Sequence, residues 1–335
     1  MHADIIIVGA GMVGSALALA LKDSGLDILL VDGAPLEPRP FDPAAPFEPR
    51  VSALSAASQN LLERLGAWPG IRARRCSPYA HMHVWDGSGT GQIRFSAASV
   101  HAEVLGHIVE NRVVQDALLD CLRDGPVRLL GQARVERLQQ GEAGWRVSLA
   151  DGRELQAPLL VAADGANSAV RRMAGCQTRE WDYFHHAIVT SVRCADEHGL
   201  TAWQRFTDDG PLAFLPLDRD GDRHWCSIVW SCTPGEAERL MVLDEPAFRA
   251  ELGKAFEYRL GEVLEVDPRV CIPLRQRHAK RYIAPGLALI GDAAHVIHPL
   301  AGQGVNLGFL DAGVLAEELL KARARGEALH SERVL

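Results

Sequence analysis

The sequence predicts an α/β protein in two parts. A Rossmann-like nucleotide-binding domain on a parallel sheet is interrupted by a domain of antiparallel β-sheet. Three observations carry this. Short, wholly apolar runs (Ile5–Val8, Ile28–Val31, Leu159–Ala162 and 287–290) end at glycine or aspartate, as buried parallel strands do. A helical pattern separates the first two, which makes a βαβ opening. Between about 181 and 232 the pattern changes to alternating, aromatic-containing segments, the signature of antiparallel sheet.

In chain order, residues 12–22 read as a helix rich in Ala and Leu, stopped by Gly25. The proline-rich stretch 34–49 is a loop, and 52–65 reads as a helix. Residues 81–85 and 92–95 flank Gly87, Gly89 and Gly91 and resemble a hairpin. A helix follows at 111–122, and 127–161 holds several strands with turns at Gly141, Gly144 and Asp151-Gly152. The alternating segments are 187–192, 202–206, 213–217 and 225–230; helical patterns lie at about 235–257 and 305–325. The domains expected are 1–75, 96–180 and 272–335 for the nucleotide-binding part, and 76–95 and 181–271 for the inserted part.

Composition narrows the function. The 335 residues are 47% hydrophobic and 23% charged, enough to bury a large core without staples. A net charge of −8 speaks against sequence-independent nucleic-acid binding. Seven cysteines, an odd count without a CxxC pair, read as reduced thiols. The start has no basic segment before its apolar run, so no signal peptide is expected. No apolar stretch of about 18 residues occurs, so no membrane-spanning helix is expected either.

Gly9-Ala10-Gly11-Met12-Val13-Gly14 sits between a strand and a helix. Gly9 permits the tight turn, Gly11 lets backbone approach a pyrophosphate, and Gly14 allows close helix–strand packing. The helix start offers free N–H groups to phosphates. Asp32, at the end of the next strand, is placed to take ribose hydroxyls. This motif alone leaves NAD and FAD open. Asp164-Gly165-Ala166-Asn167-Ser168 follows another buried strand, and is either a ligand turn or a helix cap. Gly291-Asp292-Ala293-Ala294-His295 follows a third, with Gly302 and Gly304 then leaving bare backbone at a helix start, a seat for an anion.

Three such turns in this order resemble the FAD-dependent aromatic hydroxylases related to para-hydroxybenzoate hydroxylase. The segment from Gly291 through His298-Pro299 to Gly302-Gln303-Gly304-Val305-Asn306-Leu307-Gly308 narrows the resemblance to the ubiquinone-biosynthesis hydroxylases. So do 48–54 and 105–111. Trp181-Asp182-Tyr183, His185-His186-Ala187 and 226–230 most resemble the 2-polyprenylphenol hydroxylase branch of that group. Relatives usually carry Glu where Asp32 stands, and continue with further helices beyond the point matching Leu335.

The resemblance implies non-covalent FAD, NADPH or NADH as co-substrate, and a flavin hydroperoxide that hydroxylates a phenol ring. Gly9, Gly11 and Gly14 would hold the pyrophosphate and Asp32 the ribose. Arg50 and Arg112 would lie near the flavin and pyrophosphate, and Asp164 would help hold FAD and the region where the nicotinamide nucleotide docks. Asp292 would bind the ribityl chain, while Gly304, Val305 and Asn306 would meet the flavin ring through their backbone. Pro299 would shape the substrate side, and His298 is the candidate titratable group beside it. His295 and His298 lack a third spaced ligand, so no metal is expected. Phe214, Leu215 and Pro216 are a candidate apolar wall for an isoprenoid tail. The implied substrate is a polyprenylphenol. Other ubiquinone-biosynthesis proteins are the implied partners, and the place is cytoplasmic, peripheral to the inner membrane. The alternatives on the same fold are a catabolic aromatic hydroxylase, an isoprenoid reductase and a non-catalytic FAD-binding subunit.

Overall fold

The computed structural model describes residues 1–298 and 302–335. Its centre is a six-stranded sheet ordered Ile283–Ala284, Leu287–Leu289, Leu159–Ala162, Ile5–Val8, Ile28–Val31, Arg128–Leu130. All pairs in it are parallel except the first. Ile5–Val8 and its two neighbours are buried along their whole length because both faces are covered. Ile5, Ile7 and Leu30 pack under the helices Met12–Leu21, Asn111–Arg123 and Gly304–Ala324. Ile6, Val8 and Leu160 pack against Trp145, Val147 and Leu155 of a small three-stranded sheet.

A second large sheet runs His295–Val296, Val270–Ala279, Thr178–Cys194, Asp222–Cys232, Gly210–Arg219, Thr201–Thr207, His81–Asp86, Gln92–Ser96, with Val263–Val266 also paired to Thr178–Cys194. Because side chains alternate across a strand, its two faces do different work. One face (Trp85, Phe214, Ile228, Trp230) is sealed by the helices Pro234–Val242 and Glu245–Ala255, with Phe214 stacked on Phe256 at 3.6 Å. The other carries Val189, Leu215 and Val229, in two further clusters. The wall expected from Phe214, Leu215 and Pro216 is therefore split. Phe214 belongs to the sealed core, and Leu215 faces the other way.

Several readings are corrected. Residues 51–55 form a strand, Val51–Ser55, paired with Gly106–Glu110, and the helix is Ala56–Arg64. Ser55 ends the strand and caps the helix, accepting from the Ser58 N–H at 3.3 Å. The pattern at 235–257 is two helices, parted where Asp244 caps the second by accepting from Ala247 N–H at 2.9 Å. The large sheet is not wholly antiparallel. Thr201–Thr207 runs parallel to His81–Asp86, as strands joined through a distant part of the chain are free to do. Thr178–Cys194 and Val270–Ala279 each run across an expected border, at 180/181 and 271/272.

Candidate active site

The three turns meet at one end of the parallel sheet. Gly9 has φ +108°, and a Cβ there would collide with the Ala163 carbonyl, one residue before Asp164. The first and second turns are thus packed backbone to backbone. A Cβ on Gly14 would collide with the Gly9 carbonyl and lie 3.1 Å from Ala163 Cβ. Gly11 is different: its φ is −68°, and no described atom lies within 4 Å of a Cβ built there. It heads the helix Met12–Leu21, whose start carries no side-chain cap and no acid in its first turn among the described residues. Free N–H groups therefore border open space, which is the form of an anion cradle.

Asp32 holds that cradle in shape. Its Oδ2 accepts from Ala10 N–H at 2.7 Å and its Oδ1 from Ala34 N–H at 2.8 Å. The Ala10 carbonyl accepts from Gln115 Nε2 at 2.9 Å and Ser15 Oγ at 3.1 Å. In the second turn, Asp164 accepts from Ala169 and Val170 N–H at 2.7 and 3.1 Å and from Ser168 Oγ, so it caps the short helix Ala169–Met173. Gly165, at φ +78°, faces open space. Buried Arg171 ties the second turn to the third, donating to Ala166 O and Ala293 O, each at 2.8 Å.

The third turn is pressed against the first. Gly291, at φ +59°, would place a Cβ 3.2 Å from Val13, and one on Gly308 would lie 2.6 Å from Val13 Cγ2. Their bare backbones let Gly304–Ala324 cross Met12–Leu21 closely. Burial pushes the Asp292 carboxyl up from its ordinary value, opposed by the charges of Arg50 and His295. Asp311, from the long helix, accepts from Gly291 N–H at 2.8 Å and pairs with His295 Nε2 at 2.6 Å. That pairing raises the His295 imidazole above its ordinary value, against its burial. No described atom lies within 4 Å of a Cβ built on Gly304. Asn306 is buried: its Oδ1 accepts from Ser55 N–H at 3.0 Å and Ser58 Oγ at 2.6 Å, and its Nδ2 donates to Ala53 O at 2.8 Å. Val305 is half-buried against the core.

Arg50 is exposed, within electrostatic reach of Asp292. It follows a loop anchored at Phe47, whose ring lies 4.5 Å from the Arg75 guanidinium and 4.7 Å from that of Arg219. Arg112 pairs with Glu48 at 3.0 Å and Asp116 at 3.4 Å. His298 meets the Tyr183 ring edge to face at 4.6 Å, and burial lowers its imidazole below the ordinary value. Pro299 lies outside the described residues.

The chain matches the family model described as "FAD binding domain" over residues 2–332. It is 42% identical over 333 residues to 3-demethoxyubiquinol 3-hydroxylase of Escherichia coli (strain K12), covering 99% of this chain and 83% of that protein. The chain belongs to the FAD-dependent hydroxylases of ubiquinone biosynthesis. The ubiquinone biosynthesis monooxygenase COQ6 of Xenopus tropicalis is 36% identical to this hydroxylase over 381 residues, covering 99% of this chain and 80% of that one. Among solved structures, a mutant of P. aeruginosa PqsL superposes with a TM-score of 0.83 at 26% identity, covering 100% and 90% of the two chains. The p-nitrophenol 4-monooxygenase PnpA from Pseudomonas putida DLL-E4 shares the fold, with a TM-score of 0.77 over 99% and 82% of the chains. The enzyme is a flavin monooxygenase that uses FAD and, as is typical of its class, NAD(P)H.

The hydroxylase's own geometry fits that cofactor. A Cβ at Gly11 would fill the cradle where a pyrophosphate must sit, and among the described residues Gly165 and Gly304 leave similar openings in the other two turns. Asp311, Arg171 and Gln115 are structural members of the site that the motifs did not reveal. Among the described residues, no helix is long and apolar enough to cross a membrane.

Proposed function

We propose that the protein hydroxylates the aromatic ring of a polyprenylphenol, as a step in ubiquinone biosynthesis, with NAD(P)H and O2. The observation carrying this reading is the unsealed face of the large sheet. There Ala213, Val229 and Ile272 are only half-buried, whereas Phe214, Ile228 and Trp230 on the opposite face are buried under helices. A hydrophilic benzoate has no use for such a wall, and an isoprenoid phenol does.

FAD, when bound, would supply the redox chemistry, with two electrons from NAD(P)H and O2 giving one oxygen atom to the ring and the other to water. The chain's residues bind, orient and exclude water. Backbone N–H groups at Gly11 and the helix start would hold the pyrophosphate. Asp292 would accept hydrogen bonds from the ribityl chain, and the start of Gly304–Ala324 would favour negative charge beside it. The apolar wall fixes the ring and keeps water away. His298, its imidazole lowered by burial and so neutral near pH 7, is in a state to accept the phenol proton. The enzyme works beside the membrane with other proteins of the pathway, because an isoprenoid tail is too apolar to travel freely through water.

Quinone profiling by mass spectrometry in a strain lacking this protein tests the reading. A tailed phenol missing one ring hydroxyl should accumulate. Unchanged quinone content, with loss of growth on small aromatic acids, would favour a catabolic hydroxylase instead.

A further inference from the structure

The hairpin with glycines in its turn, His81–Asp86 with Gln92–Ser96, takes no part in the three turns. It forms one edge of the large sheet, and its strand Gln92–Ser96 is mostly exposed. Ile93 and Phe95 are 58% and 51% exposed there. An open apolar edge strand is a liability that proteins usually blunt, so its retention calls for a use.

The register supplies one. Val189 lies opposite Val229, Val229 opposite Ala213, Ala213 opposite Gln204, Gln204 opposite Val84, and Val84 opposite Ile93. Directly opposed residues point to the same face, so these six form one row across six strands. At one strand spacing per step the row is about 24 Å long. It carries no charge, and Gln204 is its single polar member. Its inner end belongs to the active site: Val189 and Val229 share a cluster with Tyr183, whose ring packs on His298. Its outer end is the exposed edge. The opposite face of the same strands is filled by Trp85, Trp203, Phe214 and Ile228, so nothing can lie there.

We propose that this row is the seat of the substrate's apolar tail. The ring stays beside Tyr183 and His298, and the tail crosses the strands over Val229, Ala213 and Val84 to leave the protein at Ile93 and Phe95. This rests on the tailed-phenol reading and adds a path to it. A single prenyl unit ends far short of the edge, whereas a tail of several units reaches Ile93. The edge residues therefore set affinity as a function of tail length.

The test titrates the FAD-loaded protein, without NAD(P)H, with a monoprenyl and a hexaprenyl phenol presented in detergent, reading the change in flavin absorbance. In the doubly substituted Ile93→Asp, Phe95→Asp protein, the ratio of the hexaprenyl to the monoprenyl dissociation constant should rise at least tenfold, the loss expected for one large apolar contact. An Ile93→Ala, Phe95→Ala protein should move the ratio the same way by a smaller factor. Both changes are on exposed side chains, and FAD content checks the fold. An unchanged ratio in both variants overturns the tail path while leaving the hydroxylase reading intact. Wild-type protein that binds neither phenol, and binds small hydrophilic benzoates instead, overturns the reading on which the path rests.

Discussion

Gly11 and Gly14 are three residues apart and should fail in opposite ways when given a side chain. At Gly11 the backbone (φ −68°, ψ −176°) suits any residue, and a Cβ meets no described atom within 4 Å. Gly11→Val should therefore leave the apoprotein's stability within about 1 kcal/mol of wild type. It should still remove FAD binding, because its methyl groups occupy the pyrophosphate cradle. Charge-assisted hydrogen bonds are worth about 1.5–3 kcal/mol each, so losing two would cut affinity by about 10²- to 10⁴-fold. At Gly14 the added Cβ collides with the Gly9 carbonyl, a backbone atom that cannot rotate away. Gly14→Ala should cost about 3 kcal/mol or more of apoprotein stability, at the upper end for overpacking. Thermal unfolding of flavin-free protein and flavin titration separate the two. If Gly11→Val unfolded the apoprotein as badly as Gly14→Ala, or bound FAD like wild type, the division of roles would be refuted.

Three further outcomes follow from the site. Asp292→Ala should weaken FAD binding about ten- to a hundredfold, read as the dissociation constant, with the fold retained. Asn306→Ala should destabilise the protein by about 2–4 kcal/mol in denaturant unfolding, because its hydrogen bonds to Ser55, Ser58 and Ala53 leave buried groups unpaired when lost. The His295–Asp311 pair predicts a pH dependence. An imidazole raised on folding stabilises fully below its ordinary value near 6.5, and the gain fades as pH climbs through the raised folded value. The stability difference between wild type and His295→Gln should therefore shrink as pH climbs above about 6.5, and a difference that grew with pH would contradict the pairing.

What the sequence revealed was local chemistry, and what it concealed was distant pairing. Ile5–Val8 and the turn after it were legible because a wholly buried strand and glycines with distinct steric duties leave a short, ordered pattern. Val51–Ser55 was not. Its residues also suit a helix, and its pairing with Gly106–Glu110 decides the matter from far along the chain. Asp311 and Arg171 sit in unremarkable helical surroundings, and the partners that give them a role, Gly291 with His295 for Asp311 and Ala293 for Arg171, lie in the third turn. Asp164 shows the limit of a motif. Its type and place were readable, whereas its commitment to the helix Ala169–Met173 emerges from the hydrogen bonds. For Phe214 and Leu215, an apolar run was visible but its division between two faces depended on the strand's alternation.

The proposed reaction inserts one atom of O2 into the ring of a tailed phenol. The direct measurement is mass spectrometry of the product after the FAD-loaded protein turns over a short-tailed polyprenylphenol with NADPH or NADH under ¹⁸O2. The expected product is a hydroxylated phenol carrying one ¹⁸O on the ring, formed together with NAD(P)H consumption. Oxidation of NAD(P)H that leaves the phenol unlabelled and unchanged, alongside labelled hydroxylation of a tail-free benzoate, would contradict it.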